Sequence, residues 1–314
     1  MSLMSTAFGL ASPAGAGARL STLIFHRVKP ELDPLFPEEM HAGRFDEMCS
    51  WLARDFNVLP LAEAVRALAQ GRLPARACCI TFDDGYADNL HIAAPILHKH
   101  GLSATVFVAT GFLDGGRMWN DTVIEVLRRA PGGRVDGREL GLKLYELESA
   151  LSRRRAALDV IDTIKYLPVA ERVSKAEALA CLCGIAPPTD LMLSSDELRR
   201  LRGQGIAIGG HTVSHPILAR LDPAAAREEI SAGREQLQML LGERIGLFAY
   251  PNGRPGRDYL PEHAEMVREL GFDAAVSTRW GASHAGTDRF QLPRFTPWDT
   301  TRTRFGLRML RNLF

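Results

Sequence analysis

Residues 80–89 read Ile80-Thr81-Phe82-Asp83-Asp84-Gly85-Tyr86-Ala87-Asp88-Asn89, an apolar strand pattern that runs directly into two adjacent carboxylates and a glycine. Acidic residues placed in this way lie at the carboxyl end of a strand, the edge of an α/β sheet where ligands collect. Two neighbouring aspartates repel each other unless a cation or a raised pKa relieves the repulsion. The stretch therefore predicts a cation site, with a turn in which an aspartate caps a helix as the simpler alternative.

Outward from this stretch, short apolar runs alternate with amphipathic segments. Strands are predicted at 22–25, 78–82, 105–109, 206–208, 245–250 and 274–277. Helices are predicted at 45–56, 61–71, 91–101, 196–202, 223–241 and 259–271. Asp222, Pro223 and Gly242 are typical of the start and end of one of these helices. The alternation predicts an α/β fold with a mostly parallel sheet or barrel.

Two regions depart from this rhythm. Residues 1–18 are rich in alanine, glycine and serine, which predicts a flexible N-terminal tail before a single domain at 19–314. Residues 115–188 begin with a turn-rich piece and continue as a long charged helical region around 144–183. We expect this segment to be a helical insertion or lid on that domain and not a second core.

The composition excludes several classes of protein. The 38 basic and 37 acidic side chains nearly cancel, so no broad positive field is available to hold nucleic acid. The five cysteines form no CxxC pair and are expected to be reduced and structural. Since no run approaches about 18 apolar residues, we expect a soluble chain with no integral membrane segment. The oligomeric state is left open.

The N-terminal stretch bears on location. It has no basic residue before Arg19 and no sustained apolar run, as a signal peptide would have. We therefore expect a cytoplasmic location, with an export signal outside this sequence as the alternative.

A second motif ends another predicted strand and reads Gly209-Gly210-His211-Thr212-Val213-Ser214-His215-Pro216. In a helical turn, residues four apart point the same way, so His211 and His215 can present two imidazole nitrogens to one ion. A polar loop is the simpler alternative. Taken with one aspartate, the two histidines form a ligand set that leaves positions open for water and substrate, while the second aspartate is free to act as a base.

The segments Thr81-Phe82-Asp83-Asp84-Gly85 and His211-Thr212-x-x-His215 resemble the polysaccharide deacetylase family, the NodB-homology carbohydrate esterases. The resemblance extends over about residues 23–297 and implies a distorted (β/α) barrel with fewer than eight strands. It implies that Asp83 is the general base and that Asp84, His211 and His215 bind a divalent metal, usually zinc and sometimes cobalt or nickel. The implied reaction is removal of an N-acyl group, most commonly acetyl, from an amino sugar of a glycan substrate.

The third motif of the family normally reads Arg-Pro-Pro-Tyr-Gly, and its counterpart is Ala249-Tyr250-Pro251-Asn252-Gly253. Ala249 stands where the family has the arginine that steadies the base. The backbone N–H of Asn252 is expected to donate to the oxyanion of the tetrahedral intermediate, and Tyr250 to contact substrate. This Tyr-Pro-x-Gly variant resembles deacetylases of bacterial surface-glycan synthesis, although the same residues also form an ordinary turn.

The family's Leu-x-His motif, which supplies the general acid, has no clean match, and the late strand reads Gln291-Leu292-Pro293-Arg294-Phe295. Arg294 is a candidate to stabilise charge, orient Asp83 or contact substrate, with Asp288 as its partner. A structural ion pair is the alternative for Arg294.

Two histidines compete for the role of general acid: His26 at the end of the first predicted strand and His284 in a glycine-rich loop. Trp119 and Asn120 are candidates for a platform on which a sugar ring stacks, whereas a buried core role is the more common one for tryptophan.

Two other functions stay open. The same site can act on formylated or cyclic amides, as some members of the wider family do. A glycan-binding protein with a decayed catalytic apparatus would explain the absent arginine and histidine motifs. Retention of both Asp83 and Asp84 disfavours it, because a binding protein has little use for a base beside a metal.

Overall fold

The computed structural model describes residues 3–314, with side chains from Thr6 onward. Its strands are β1 Ser21–Phe25, β2 Asn57–Val58, β3 Ala77–Phe82, β4 Thr105–Val108, β5 Arg134–Asp136, β6 Leu144–Glu146, β7 Ala207–Gly210, β8 Leu247–Ala249 and β9 Ala274–Val276. Its α-helices are α1 Leu3–Ala11, α2 Ala42–Asp55, α3 Leu61–Ala69, α4 Ala94–Lys99, α5 Trp119–Arg129, α6 Ala150–Ile164, α7 Val169–Cys183, α8 Ser195–Gly203, α9 Pro223–Leu241, α10 Pro261–Glu269 and α11 Arg302–Asn312.

The chain forms two compact units. The first contains the residues up to Glu31 together with Met40–Leu113 and Leu193–Phe314. The second contains Leu32–Glu39 and Asp114–Met192.

The first unit is built on a parallel sheet with the strand order β1-β3-β4-β7-β8-β9, and β2 pairs with β3. After β9 the chain returns to the sheet, where Leu292 pairs in parallel with Val276 of β9 and Phe295 with Leu23 of β1. These bridges link the last strand to the first and curl the sheet into a distorted (β/α) barrel. The fold expected from the sequence is confirmed.

The strands of this barrel are apolar because helices cover their outer face. All five residues of β1 and all six of β3 are buried, which explains why both strands read as nearly continuous apolar runs. Parallel strands wound in this way bring their carboxyl ends to one rim, and the chemically active residues follow those ends.

The helix boundaries follow the capping chemistry. Asp222 accepts hydrogen bonds from the N–H groups of Ala224 and Ala225, and Gly242 ends α9 with a φ of +66°. The segment predicted as one helix at 91–101 instead begins as a π-helical turn at Asn89–Ala93 and continues as α4.

The N-terminal segment is not the flexible tail that the composition suggests. Its helix α1 carries Phe8, which is buried and packs on Phe56 with ring centroids 4.6 Å apart. Ser12 also exchanges hydrogen bonds with the backbone of Arg19. The prediction of a tail is therefore wrong for residues 3–18, and its first two residues lie outside the described part of the chain.

The second unit has a hydrophobic core of its own, which corrects the expectation of an insertion without one. Helices α5, α6 and α7 pack together beside the antiparallel pair β5–β6. Their buried apolar residues include Val123, Val126, Leu127, Ala157, Val160, Ile164, Ala176 and Leu179. The region around 144–183, expected to be helical, consists of strand β6 followed by the helices α6 and α7, with Pro168 directly before α7.

The C-terminal helix α11 buries Phe305 and Met309 against the first unit. All five cysteines are free, and four of them are buried, as expected. Among the helices described, none has both the length and the apolar character needed to cross a membrane.

Candidate active site and metal centre

The two sequence motifs meet at the carboxyl rim of the barrel. Asp83 and Asp84 follow β3, and His211 follows β7. Asp84, His211 and His215 each offer a ligand atom, and these atoms lie within 4.8 Å of one another. The Nε2 atoms of His211 and His215 lie 3.4 and 3.5 Å from Oδ1 of Asp84. The convergence predicted for these three side chains is therefore present.

The chemistry of this cluster fits a divalent cation. Oδ1 of Asp84 is buried and has no hydrogen-bond partner among the described residues. A buried carboxylate oxygen without a donor is unfavourable unless an ion compensates it. Nδ1 of His211 lies 2.7 Å from the carbonyl oxygen of Ala249, which can only accept, so Nδ1 carries the proton. Nε2 of His211 is then left with the lone pair that a metal ligand needs.

Burial and charge act against each other in the cluster. Burial raises the pKa of Asp84, but the neighbouring imidazoles of His211 and His215 outweigh burial and hold this pKa well below its usual value. Burial lowers the pKa of His215 to about 4, which keeps this imidazole neutral near pH 7. For His211 burial is outweighed by Asp84 and Asp83, and its pKa is raised.

The loops of the site contain unusual backbone conformations. Asp84, Thr212, His215 and Asn252 have φ values of 80°, 66°, 51° and 58°, in the left-handed region that residues other than glycine rarely adopt. Such conformations persist only where the surrounding structure holds them. The left-handed residues of the aspartate and histidine motifs therefore set the orientation of the side chains in these two motifs.

Glu229 of α9 holds the loop between the two histidines, a role that we did not predict from the sequence. Its carboxylate accepts from the N–H groups of Val213 and Ser214 at 3.0 and 2.9 Å, and from the hydroxyl of Ser214 at 2.6 Å. Gly233, one turn further along α9, lies so close to Thr212 that a Cβ would be 2.8 Å from its backbone. The sequence around Glu229 contains no local pattern that predicts its contact with the histidine loop.

Arg294 binds the second aspartate. Its two terminal nitrogens donate to the carboxylate oxygens of Asp83, both at 2.7 Å, while Nε donates to the carbonyl oxygen of Ser277. The side chain of Arg294 has no exposed surface. It therefore orients Asp83, one of the alternatives raised by the sequence, and the expectation that it contacts substrate is corrected. Asp288 does not pair with it, because Asp288 accepts from Phe290 N–H and the Gln291 amide instead.

The pKa of Asp83 reflects this pair. Burial by itself raises the pKa of the Asp83 carboxyl, but the charges of Arg294 and His211 outweigh burial, so the pKa lies below its usual value. Asp83 is therefore a carboxylate at neutral pH, as a general base must be.

His26 lies at the same rim. It is exposed at the end of β1, and its charge contributes to lowering the pKa of both Asp83 and Asp84. The Asn89 amide donates to the His26 carbonyl at 2.9 Å, and Asp88 accepts from Val28 N–H at 3.1 Å. The last residues of the first motif thus hold the loop of His26, although the sequence had suggested no role for them.

Other candidate residues lie in different surroundings. Tyr250 is fully buried, its hydroxyl donates to the Phe290 carbonyl at 2.9 Å, and its ring stacks on Tyr259 at 3.8 Å. This core position differs from the expected contact with substrate, since no part of the side chain is left for a ligand. His284 is exposed, and its Nδ1 accepts from Gly286 N–H within the same loop.

Asn252 and Trp119 both lie in positions of intermediate burial. Asn252 is partly buried, and its backbone N–H donates to no acceptor among the described residues. Trp119 begins α5 in the second unit, where it is partly buried against that unit's core. The proposed sugar contact of Trp119 stays a prediction.

Comparison with known proteins defines the class to which this fold and site belong. The family profile for polysaccharide deacetylase matches residues 70–139 and 163–275, more than half of the chain. The chain belongs to the polysaccharide deacetylase family.

Individual relatives are distant. The chain is 21% identical over 279 residues to YxkH of Bacillus subtilis (strain 168), which is described as a polysaccharide deacetylase, and the match covers 88% of this chain and 71% of YxkH. Among solved structures, the deacetylase PplD of Streptococcus pyogenes is similar with a TM-score of 0.61, 18% identity and coverage of 95% and 99% of the two chains. A de-N-acetylase of Aggregatibacter actinomycetemcomitans is similar with a TM-score of 0.60, 16% identity and coverage of 93% and 99%. At these identities the structural likeness establishes the fold.

Proposed function

We propose that this protein hydrolyses an N-acyl group, most simply acetyl, from an amino sugar of a glycan in a metal-dependent reaction. The observation that carries the proposal is the convergence of Asp84, His211 and His215 beside a base, Asp83, that Arg294 holds as a carboxylate. Family membership supports a polysaccharide substrate. The name of the de-N-acetylase among the structural neighbours supports an amide as the bond that is cleaved.

Asp84, His211 and His215 would hold the cation, and their nitrogen and oxygen ligands suit zinc, with cobalt or nickel as alternatives. Such an ion supplies Lewis-acid chemistry: it acidifies water and polarises the acyl carbonyl.

The residues of the chain perform the proton transfers. Asp83 takes a proton from the attacking water as the C–O bond forms, and Arg294 keeps Asp83 ionised and aligned for that step. The backbone N–H of Asn252 donates a hydrogen bond to the tetrahedral oxyanion. His26 donates a proton to the amine nitrogen as the C–N bond breaks, which releases the carboxylic acid and the free amino sugar.

The alternative of a glycan-binding protein without activity is disfavoured by the Asp83–Arg294 pair. A binding protein gains nothing from a buried carboxylate that is kept ionised beside a cation site. Arg294 takes the place of the arginine that the family has at position 249. The missing arginine is therefore no longer a reason to assume that the catalytic apparatus has decayed.

The test uses metal content and acetate release from an acetylated chitooligosaccharide. We expect Asp83→Asn to keep its metal while turnover falls by about 10²–10⁴-fold, because the base alone is lost. His211→Ala should lose metal and activity together, and His284→Ala, outside the site, should keep both. Full activity of His211→Ala after chelation would refute the proposal.

A further inference from the structure

Arg172 in α7 of the second unit is a buried cation without a counter-charge. Its side chain is 5% exposed. The Arg172 side chain makes no hydrogen bond or ion pair with the described residues, and its Nε is enclosed without an acceptor. Its guanidinium carbon lies over the ring of Trp119, 5.5 Å from the ring centroid. A buried charge left in this state is costly, so its presence calls for an explanation.

The electrostatic surroundings add to this cost. Burial lowers the pKa of Arg172, and no acidic group opposes the effect. Arg172 also lies in the first turn of α7, where the helix dipole favours negative charge. Nearby arginines of the same unit are paired, since Arg117 binds Glu177 and Arg128 binds Asp33. Arg172 is the buried arginine of this unit, and it lacks the carboxylate partner that Arg117 and Arg128 have.

A second feature points to the same place. Trp119 is the first residue of α5, an 11-residue helix whose N-terminus has no side-chain cap. The first N–H groups of a helix lack intrahelical partners and favour an anion. Asp121 of that turn makes no hydrogen bond or ion pair with Arg172.

We propose that Arg172 and Trp119 form a binding site in the second unit for an oxyanion, the carboxylate or phosphate of an acidic sugar or a free anion. The planar guanidinium can bind two oxygens of such a group, and the indole ring can stack on the attached sugar. The bound oxyanion neutralises the charge that the protein leaves unpaired. This site does not depend on the deacylation reaction proposed above.

The first test is the thermal stability of the ligand-free protein. If Arg172 is kept for binding, its unpaired buried charge lowers the stability of the ligand-free protein. Replacing it by an apolar residue removes this cost, so Arg172→Met is expected to raise Tm by about 2–4 °C. Arg117→Met is the matched control and should lower Tm, because it leaves Glu177 without its partner. A lower Tm for Arg172→Met would mean that packing on Trp119 stabilises the fold, and it would overturn the proposal.

The second test is ligand binding to the wild-type protein. Inorganic phosphate and glucuronate are titrated at constant ionic strength set with chloride, with glucose as the neutral control, and Tm is followed with tryptophan fluorescence. At saturation we expect a rise in Tm of about 2–4 °C that Arg172→Met abolishes, and a fluorescence change that Trp119→Phe removes. A stronger response to glucuronate identifies an acidic sugar, and a stronger response to phosphate a free anion. If neither ligand gives a shift that depends on Arg172, the site does not exist.

Discussion

The position of one guanidinium governs the proposed base. Arg294 reaches Asp83 from the segment that closes the barrel, whereas the family pattern places the corresponding arginine at the position of Ala249. The two positions are far apart in sequence, but both lie at the carboxyl rim. The effect of a charge on a carboxylate depends on the distance between them, so an arginine at either position can orient and ionise Asp83.

Replacing Arg294 by methionine should shift the pH dependence of the reaction. Without the guanidinium, burial raises the pKa of Asp83 with less opposition. Since Asp83 acts as a carboxylate, the acidic limb of kcat/KM should move to higher pH by about 1–3 units. Arg294→Lys, which keeps the charge, should move it less. Identical pH profiles for all three proteins would contradict the role given to Arg294.

Arg294→Met should also reduce stability. It leaves the Asp83 carboxylate buried and unpaired, which costs about 3–5 kcal/mol in the free energy of unfolding measured by urea denaturation at pH 7. The loss should shrink on acidification, because a protonated Asp83 no longer needs the cation. A constant loss between pH 7 and pH 4 would show that packing and not charge is responsible.

At the level of elements, helix α9 fixes the geometry of the histidine loop. Glu229 accepts three hydrogen bonds from Val213 and Ser214. Together with the close approach of Gly233 to Thr212, these bonds hold Thr212 and His215 in left-handed conformations. The helix therefore shapes the candidate metal site, although it supplies no ligand to that site.

Glu229→Gln should weaken zinc binding by about 10–100-fold, measured by competition with a chromophoric chelator. Glu228→Gln is the control, since Glu228 is exposed on the same helix. KM should stay near the wild-type value, and activity should recover at saturating zinc, because the ligands themselves are unchanged. Equal zinc affinity of both variants would exclude a positioning role for Glu229.

Helix α1 is the second element with a measurable contribution. Phe8→Ala should lower the free energy of unfolding by about 3 kcal/mol, because it empties a buried contact with Phe56. Leu10→Ala, in the same helix but 80% exposed, should change it by less than about 0.5 kcal/mol. Equal effects of the two substitutions would mean that α1 does not pack as described.

On the scale of the whole molecule, each of the two units has a core of its own. Ile164→Ala, which empties a buried site in α6, should speed amide hydrogen exchange in peptides from 114–192 while β3 and β7 keep their protection. Leu158→Ala, on the exposed side of α6, should leave both patterns unchanged. Faster exchange throughout the molecule would indicate that the two cores unfold together.

Features with a short range in sequence could be predicted from the chain alone. Examples are the alternation of strands and helices, the capping of α9, the end of β3 just before Asp83 and the spacing of His211 and His215. All of them depend on residues a few positions apart. Each reflects backbone sterics or side-chain periodicity, and these act locally. The resemblance of the same motifs to a known family then indicated the barrel.

Contacts between distant residues were decided only in the tertiary structure. These contacts join residues whose spacing follows no local period. They are the pairing of Arg294 with Asp83, the support of the histidine loop by Glu229, the burial of Tyr250 and Phe8, and the separate core around Ile164. Their energies depend on which surfaces the closed sheet and packed helices bring together. The burial of a side chain and its hydrogen-bond or ion-pair partners are properties of the folded core. A local sequence pattern therefore cannot predict them.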